Sequence, residues 1–230
     1  MIKLYDYFRA SSCYRLRMAL NLKGLEYEAI TVDLLKGEHN APAYKAINPL
    51  GTVPYFIDDA TKDKIELNQS LAIMQYLDNQ YPDVKLVFGD AGQQAYIWQL
   101  ALLIATDIHP FGAPQVWRKY LMGILEASQD QADQWIEHWI TRGLGVYEDL
   151  LMKSGEMGEF SCGNQISMAD ICLLPQLYNA RRYKIDLNPY PNLTRIEKNM
   201  LHIEAIQNST PEAHKSAPEG FEQIHGANMI

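Results

Sequence analysis

Two domains of different class are expected from this sequence: a small mixed α/β domain, then an all-helical one. Three observations point that way. Apolar runs of strand length, Ile2–Tyr5, Tyr27–Val32, Tyr55–Ile57 and Ile65–Leu67, all precede Gln69. A turn-rich stretch then runs from Tyr81 to Gln93 and contains Pro82, Gly89 and Gly92. Beyond it, apolar residues recur at helical spacing nearly to the end. The expected layout is an α/β domain over 1–82, a linker over 83–93 and a helical domain over 94–230. A chain of 230 residues accommodates either one large domain or two small ones.

The elements follow in order. Ile2–Tyr5 reads as the first strand. After it comes a small turn bearing hydroxyls and a thiol, Ala10-Ser11-Ser12-Cys13. Leu16, Ala19, Leu20 and Lys23 then recur at three- and four-residue spacing, and Gly24 supplies the helix stop. Tyr27–Val32 fits a second strand. The polar segment Leu34–Ala46 carries Gly37 and Pro42 and holds a short helix over Pro42–Ala46. The run Asn48-Pro49-Leu50-Gly51-Thr52-Val53-Pro54 turns into a strand through Tyr55–Ile57. Proline cannot donate to a ladder, so Pro54 marks an edge or a bend, and X-Pro is where a cis bond is cheap. A loop over Asp58–Lys64 leads to Ile65–Leu67. Asn68-Gln69-Ser70 opens a helix with Leu71, Met74 and Leu77 on one face, ending before Pro82. The order βαβ then ββα is the thioredoxin-like arrangement, a mixed sheet with helices on its faces.

In the second half, Gln94–Ile108 is a long apolar helix stopped by Pro110. Gln131–Leu151 puts Trp135, Trp139 and Leu150 on a buried face. Ser167-Met168-Ala169-Asp170 has the form of a capping box, with Ile166 and Ile171 as its hydrophobic staple, and opens a helix to about Arg182. Thr194–Ile206 is another helix. The tail after Pro211 has few periodic apolar residues and is expected to lie loosely on the surface.

Composition narrows the function classes. Hydrophobic content of 47% and charged content of 21% are ordinary for a globular protein. A formal charge of −8 without a basic stripe argues against nucleic-acid binding. No apolar run approaches the roughly 20 residues that span a bilayer, and the amino terminus MIKLYDYFR has no signal-peptide core. The three cysteines, Cys13, Cys162 and Cys172, have no zinc spacing and suggest neither a disulfide framework nor a metal site. A cytoplasmic protein with no membrane or nucleic-acid partner is the expectation.

The stretch Tyr7–Gly24 is where chemistry is expected. A turn at a helix N-terminus presents unpaired N–H groups and a positive dipole end, which favour an anion. Two hydroxyls and a thiol there would donate to a thiolate or a carboxylate. The alternative, that Ser11 and Ser12 merely cap the helix, stays open on these residues alone.

Several strings together resemble the glutathione transferases. Val53-Pro54 before a strand, followed by Gln69-Ser70 at a helix start, is similar to the family's glutathione-binding pattern. Arg15-Leu16-Arg17-Met18-Ala19-Leu20, Asp107-Ile108-His109-Pro110, Ser167-Met168-Ala169-Asp170, Asn179-Ala180-Arg181-Arg182-Tyr183-Lys184-Ile185-Asp186-Leu187 and Pro189-Tyr190-Pro191 resemble strings of the zeta class. The likeness runs in order from about Lys3 to Pro211. It implies glutathione as cofactor, a small cis-unsaturated diketo acid as substrate, and a homodimer. The implied reaction is the isomerisation of maleylacetoacetate to fumarylacetoacetate in tyrosine and phenylalanine breakdown. The thiolate adds to the cis double bond, the adduct rotates, and its expulsion leaves the trans bond. Maleylpyruvate isomerisation, transfer or dehalogenation on small α-halo acids, and a non-catalytic glutathione- or protein-binding module are the alternatives.

The same resemblance assigns roles. The Val53 backbone beside Pro54 would pair with the cysteinyl group, and Gln69 and Ser70 would hold the γ-glutamyl carboxylate. His39 lies in the loop where relatives place polar groups against the glycyl carboxylate. Arg182 matches an arginine for the substrate carboxylate, which a guanidinium grips bidentately, and Arg9 is a second substrate-binding candidate. The catalytic turn departs from the pattern. In ungapped register Ala10 takes the place of the family's first serine, leaving Ser11, Ser12 or Cys13, together with the helix dipole, to stabilise the sulfur, with Ser11 the first candidate and Ser12 the next. Cys13 lacks a second cysteine three residues on, which excludes a dithiol mechanism. His109, Asp170 and the Trp135/Trp139 stripe are read as structural.

Overall fold

Strand β1, Ile2–Asp6, alternates buried and half-buried residues and forms the axis of the first unit. The computed structural model describes residues 1–225. β1 pairs in parallel with β2, Tyr27–Thr31, and antiparallel with β3, Tyr55–Asp58, which pairs antiparallel with β4, Ile65–Asn68. The order is β2-β1-β3-β4, with Leu4 opposite Phe56 and Phe56 opposite Leu67. The parallel pair needs a crossover, which helix α1, Ser11–Leu22, provides. Helix α2 covers Pro42–Ile47, and α3 covers Ser70–Gln80. In α3 Ile73 joins Met74 and Leu77 in the core, while Leu71 is only half-buried. This is the four-stranded thioredoxin-like sheet expected.

Contacts divide the chain into two units: Met1–Leu86 with the segment from Leu201 on, and Val87–Met200. The tail, assigned from sequence to the helical domain and to a loose surface, packs instead on the first unit. Ser209, Thr210, His214 and His225 are buried. They are held by specific partners: Asn21 Nδ2 donates to Ser209 Oγ at 2.7 Å, and Tyr14 Oη lies 3.3 Å from His225 Nδ1. Polar side chains fasten this segment, so apolar periodicity carried no sign of it.

The second unit is helical throughout. Helix α4, Ala91–Asp107, begins inside the expected linker because Asp90 and Gln93 close a capping box. A π-helical segment over Gln115–Met122 was not anticipated. Helix α5 runs Gln129–Ser154 from a Ser128/Gln131 capping box and buries Ala132, Ile136, Ile140, Leu144, Tyr147 and Leu151. Trp135 and Trp139 lie beside that stripe, half-buried, with Trp139 stacked on Phe111 at 4.1 Å. At Gly143 a Cβ would collide with the Ile108 side chain, so glycine permits the close approach of α5 to the residue after α4. Helix α6, Met168–Arg182, is buried along every residue from Met168 to Tyr178. Asp170 accepts from the Ser167 N–H at 2.8 Å and the Ser161 N–H at 2.8 Å, and burial pushes its pKa up despite these bonds. The last long helix, α7, covers Pro191–Leu201 rather than 194–206, because the Glu148 carboxylate fixes its start by accepting from the Asn192 and Leu193 N–H groups. A short helix α8, Glu204–Gln207, follows in the first unit. No described helix is long and apolar enough to cross a membrane. Among the described residues no cluster of side chains is set to hold a metal.

Candidate active site

Between β1 and α1 the chain turns through Tyr7–Ala10, closed by the Ala10 N–H donating to the Tyr7 carbonyl at 3.0 Å. Ala10 is the N-cap of α1, extended at φ −72°, ψ 121°, and no side chain caps the helix. Helix α3 likewise starts without a side-chain cap, behind Gln69. By contrast α4, α5 and α6 open on capping boxes, and Glu148 serves α7. No N-cap side chain thus serves the first amides of α1 and α3, where a serine, threonine or aspartate normally would. Among the described helices of ten residues or more these are the two uncapped starts; the shorter segments Pro42–Ile47, Gln115–Met122 and Glu204–Gln207 also lack a side-chain cap.

The hydroxyls and thiol of the turn separate in role. Ser11 is the first residue of α1 and is half-buried. Ser12 Oγ donates to the Val53 carbonyl at 3.1 Å, across 41 residues of sequence. Cys13 is fully buried in a cluster with Tyr7, Phe8, Val32, Tyr44 and Val53. Burial, then the Asp6 charge, pushes its thiol well above the ordinary cysteine range, which leaves it inert as a nucleophile. Neither serine is the helix N-cap, which removes the simple capping reading for both.

Val53-Pro54 is a cis peptide bond at the entrance to β3. The preceding carbonyl, Thr52 O, accepts from Tyr44 Oη at 2.8 Å and from Asn48 Nδ2 at 2.7 Å. Asn48 Oδ1 in turn accepts from Asn68 Nδ2 at 3.1 Å, and Asn68 directly precedes Gln69-Ser70. A buried asparagine therefore ties the Val53 turn to the start of α3. Gln69 is held at φ 71°, ψ 105°, a left-handed conformation costing a non-glycine residue about 1–3 kcal/mol. Ser70 is buried, and its Oγ accepts from Arg15 Nη1 at 3.4 Å. Arg15 stands one helical turn after Ser11 and is itself buried, so a guanidinium lies against the start of α3. His39, half-buried, has Nε2 2.9 Å from Asn40 Nδ2, and its carbonyl lies 3.2 Å from where a Gly51 Cβ would be. Arg9 is half-buried, with its guanidinium 5.5 Å from the Phe8 ring centroid.

Of the residues expected from sequence, Ser12 bonds to the carbonyl of Val53, which precedes Pro54, the Asn48–Asn68 pair ties that turn to Gln69-Ser70, and Ser11 stands at the head of α1. Sequence reading misses Arg15, Asn48 and Asn68, which do the linking. Their only signal was polarity at positions that turn out to be buried or half-buried. In the second unit the adjacent arginines differ. Arg181 is engaged by Glu197, with Nε–Oε1 at 2.9 Å and a second, shorter contact between Nη2 and Oε2. Arg182, the last residue of α6, is half-buried with its guanidinium 5.1 Å from the Tyr183 ring, and no carboxylate partners it among the described residues. His109 is half-buried just beyond α4, donating its backbone N–H to the Ile104 carbonyl at 2.9 Å.

The chain resembles known proteins over nearly its whole length. Residues 1–79 match the family described as "Glutathione S-transferase, N-terminal domain" and residues 125–196 its C-terminal domain. A probable maleylacetoacetate isomerase of Vibrio cholerae is 37% identical over 216 residues, 93% of this chain and 97% of that protein. Among solved structures, a maleylpyruvate isomerase described as a bacterial zeta-class glutathione S-transferase superposes with a TM-score of 0.89 at 35% identity, covering 94% of this chain and all of that one. A maleylacetoacetate isomerase of Methylobacterium extorquens, solved with malonate and glutathione bound, superposes at 0.88 and 32% identity, covering 94% and 99%.

Proposed function

The chain belongs to the zeta class of the glutathione S-transferase family, and we propose that it is the glutathione-dependent enzyme that isomerises maleylacetoacetate to fumarylacetoacetate. The observation that carries this reading is the pair of uncapped helix starts in one unit, α1 and α3, tied together through Ser12, the Val53 turn, Asn48 and Asn68. Glutathione has two anionic groups that suit such starts, its thiolate and its γ-glutamyl carboxylate.

The residues present fit that cofactor. When bound, glutathione supplies a thiol whose addition to the cis double bond, and later departure, permits rotation about that bond. Its thiol has an unperturbed pKa of roughly 8.5, so the protein must favour the ionised form. Ser11 is the side chain proposed to donate to the sulfur, helped by the first amides of α1. Ser12 serves at one remove: by donating to the Val53 carbonyl it fixes the backbone beside the cis-proline. Ser70 and Gln69 are proposed to hold the γ-glutamyl carboxylate, with the Arg15 guanidinium behind Ser70 favouring negative charge there. His39 is proposed for the glycyl carboxylate. Arg182, whose guanidinium has no carboxylate partner among the described residues, is proposed to take the substrate's carboxylate, with Arg9 as a second contact. The enzyme is further proposed to act in the cytoplasm as a homodimer.

The test is the ultraviolet change of maleylacetone, a cis analogue, with and without glutathione. Conversion to the trans isomer only when glutathione is present, with no net loss of it, is the expected result. Glutathione bound without conversion would reduce the protein to a binder. Maleylpyruvate and a chloroacid run beside it decide between this substrate and the two other chemistries open to the class.

A further inference from the structure

Where β1 ends, Asp6, Arg17 and His214 bury their charged and polar atoms against one another. Arg17 grips three segments at once. Its Nη1 donates to the Asp6 carboxylate at 2.9 and 3.2 Å, its Nη2 to the Phe8 carbonyl in the turn at 2.8 Å, and its Nε to the Ser209 carbonyl at 2.9 Å. His214 Nε2 lies 3.0 Å from the second Asp6 oxygen. The Ser216 N–H, which can only donate, is 3.1 Å from His214 Nδ1, so the ring proton sits on Nε2 and is given to Asp6. Farther along, the Phe221 ring meets the Phe8 ring edge-on at 5.3 Å, and Ala217 and Phe221 pack on the cluster that includes Tyr7, Phe8, Cys13 and Val53. Burial drives the Asp6 carboxyl up, but Arg17 and His214 outweigh it and leave it below the usual carboxylate range.

A buried ionic group is weak evidence for stability, because desolvation offsets much of its attraction. Apolar side chains would close the same space with less desolvation. What a guanidinium fork adds is direction: its donors are fixed in a plane, and each acceptor is held in one orientation. The acceptor that matters is the Phe8 carbonyl, two residues before the N-cap of α1.

We propose that the segment Ser209–Phe221 is a positioning strap for the sulfur site, acting through His214, Asp6 and Arg17 on the Phe8 carbonyl and so on the placement of Ser11. This rests on the glutathione reading given above. The physical route is short: Phe8 O is pinned, Arg9 and Ala10 span one tight turn, and Ser11 opens the helix. Rates respond steeply to such placement, since about 1 Å of displacement is enough to cost 10²-fold. The three residues are positioning residues and touch neither the cofactor nor the substrate in this proposal.

The experiment titrates the ultraviolet absorbance of the thiolate in the complex with glutathione alone, in wild type, His214→Leu and His214→Gln. Leucine removes the donor to Asp6; glutamine restores a donor and an acceptor. We expect His214→Leu to raise the bound thiol's midpoint by roughly 0.5–1 pH unit and to lower kcat for maleylacetone roughly tenfold. The affinity for glutathione should change little, and His214→Gln should return both values to the wild type. A His214→Leu protein that melts lower but keeps the wild-type midpoint and kcat would make the strap merely structural and overturn the proposal. Should that variant not fold, His214→Asn, whose shorter amide can still accept from the Ser216 N–H but does not reach Asp6, decides by the same two readouts. Because the thiol titration needs no substrate, a wild type that binds glutathione but isomerises nothing would sink the functional reading while still testing the strap.

Discussion

At the residue scale, the departure at Ala10 shifts the weight of the sulfur site onto Ser11. Ser11→Ala is expected to raise the midpoint of the bound thiol and to lower kcat by roughly 10²-fold, the scale of losing one preorganised donor. Ser12→Ala should act differently, because its hydroxyl is spent on the Val53 carbonyl: weaker glutathione binding, with a near-normal thiol midpoint. Equal effects of the two on the midpoint would refute this division. At the other anchor, Ser70→Ala should weaken glutathione roughly tenfold or more, as expected for a hydrogen bond to a charged group, read by calorimetric titration. Arg182→Ala should leave that affinity alone and raise KM for the diketo acid instead. Much of this was legible in the sequence, because Val53-Pro54 and Gln69-Ser70 are local pairs. The fate of Ser12 and Cys13 was not, since it depends on partners 41 residues away for one and on Asp6 and complete burial for the other.

At the scale of elements, three helix starts have side chain and backbone closing on each other within one turn, and only that of α6 was read from the sequence; those at Asp90/Gln93 and Ser128/Gln131 were not. At α6 Ser167 and Asp170 close in this way, and Asp170 also accepts from the Ser161 N–H, which no local pattern announces. Asp170→Ala leaves two buried N–H groups without their acceptor and should destabilise the protein by about 1–3 kcal/mol, measured by urea unfolding, with glutathione affinity unchanged in the folded protein. Less than a few tenths would mean that solvent replaces the carboxylate. The face of α5 was harder to read. Two tryptophans four residues apart suggest a core stripe, yet Ile136 and Ile140, one position on, take the interior and leave the indoles at its margin, where Trp135 Nε1 reaches the Phe111 carbonyl at 2.9 Å. Indole suits such a margin because it has both an apolar body and a polar tip.

At the scale of the whole molecule, Asp6 is joined by His214 across 208 residues, a separation that neither periodicity nor motif spacing reports. Its lowered pKa has a definite consequence for acid stability. A carboxyl whose folded value lies below its unfolded one contributes stability that is complete above the ordinary value of 3.8 and is lost as pH falls through the lowered one. Wild type should therefore lose stability to acid below about pH 4, and Asp6→Asn, though less stable at neutral pH, should show a shallower loss there. Thermal unfolding across pH 2–7 checks this, and parallel curves would mean that other carboxylates govern the acid limb. The fold class and the succession of strands and helices along the chain were readable, because strands and helices announce themselves locally. The return of the chain end to the first unit was not.

That return also bears on how the protein is made. The first unit is interrupted in sequence by residues 87–200 and is finished only by those from Leu201 on. On the ribosome the sheet emerges first, yet the Arg17 fork lacks its Ser209 carbonyl and Asp6 lacks its histidine for as long as the helical unit takes to be translated, roughly ten seconds at usual elongation rates. The order of domains in the gene is thus not the order of their completion. A released chain truncated before Ser209 is expected to keep all of the helical unit's residues but only an unfinished sheet unit.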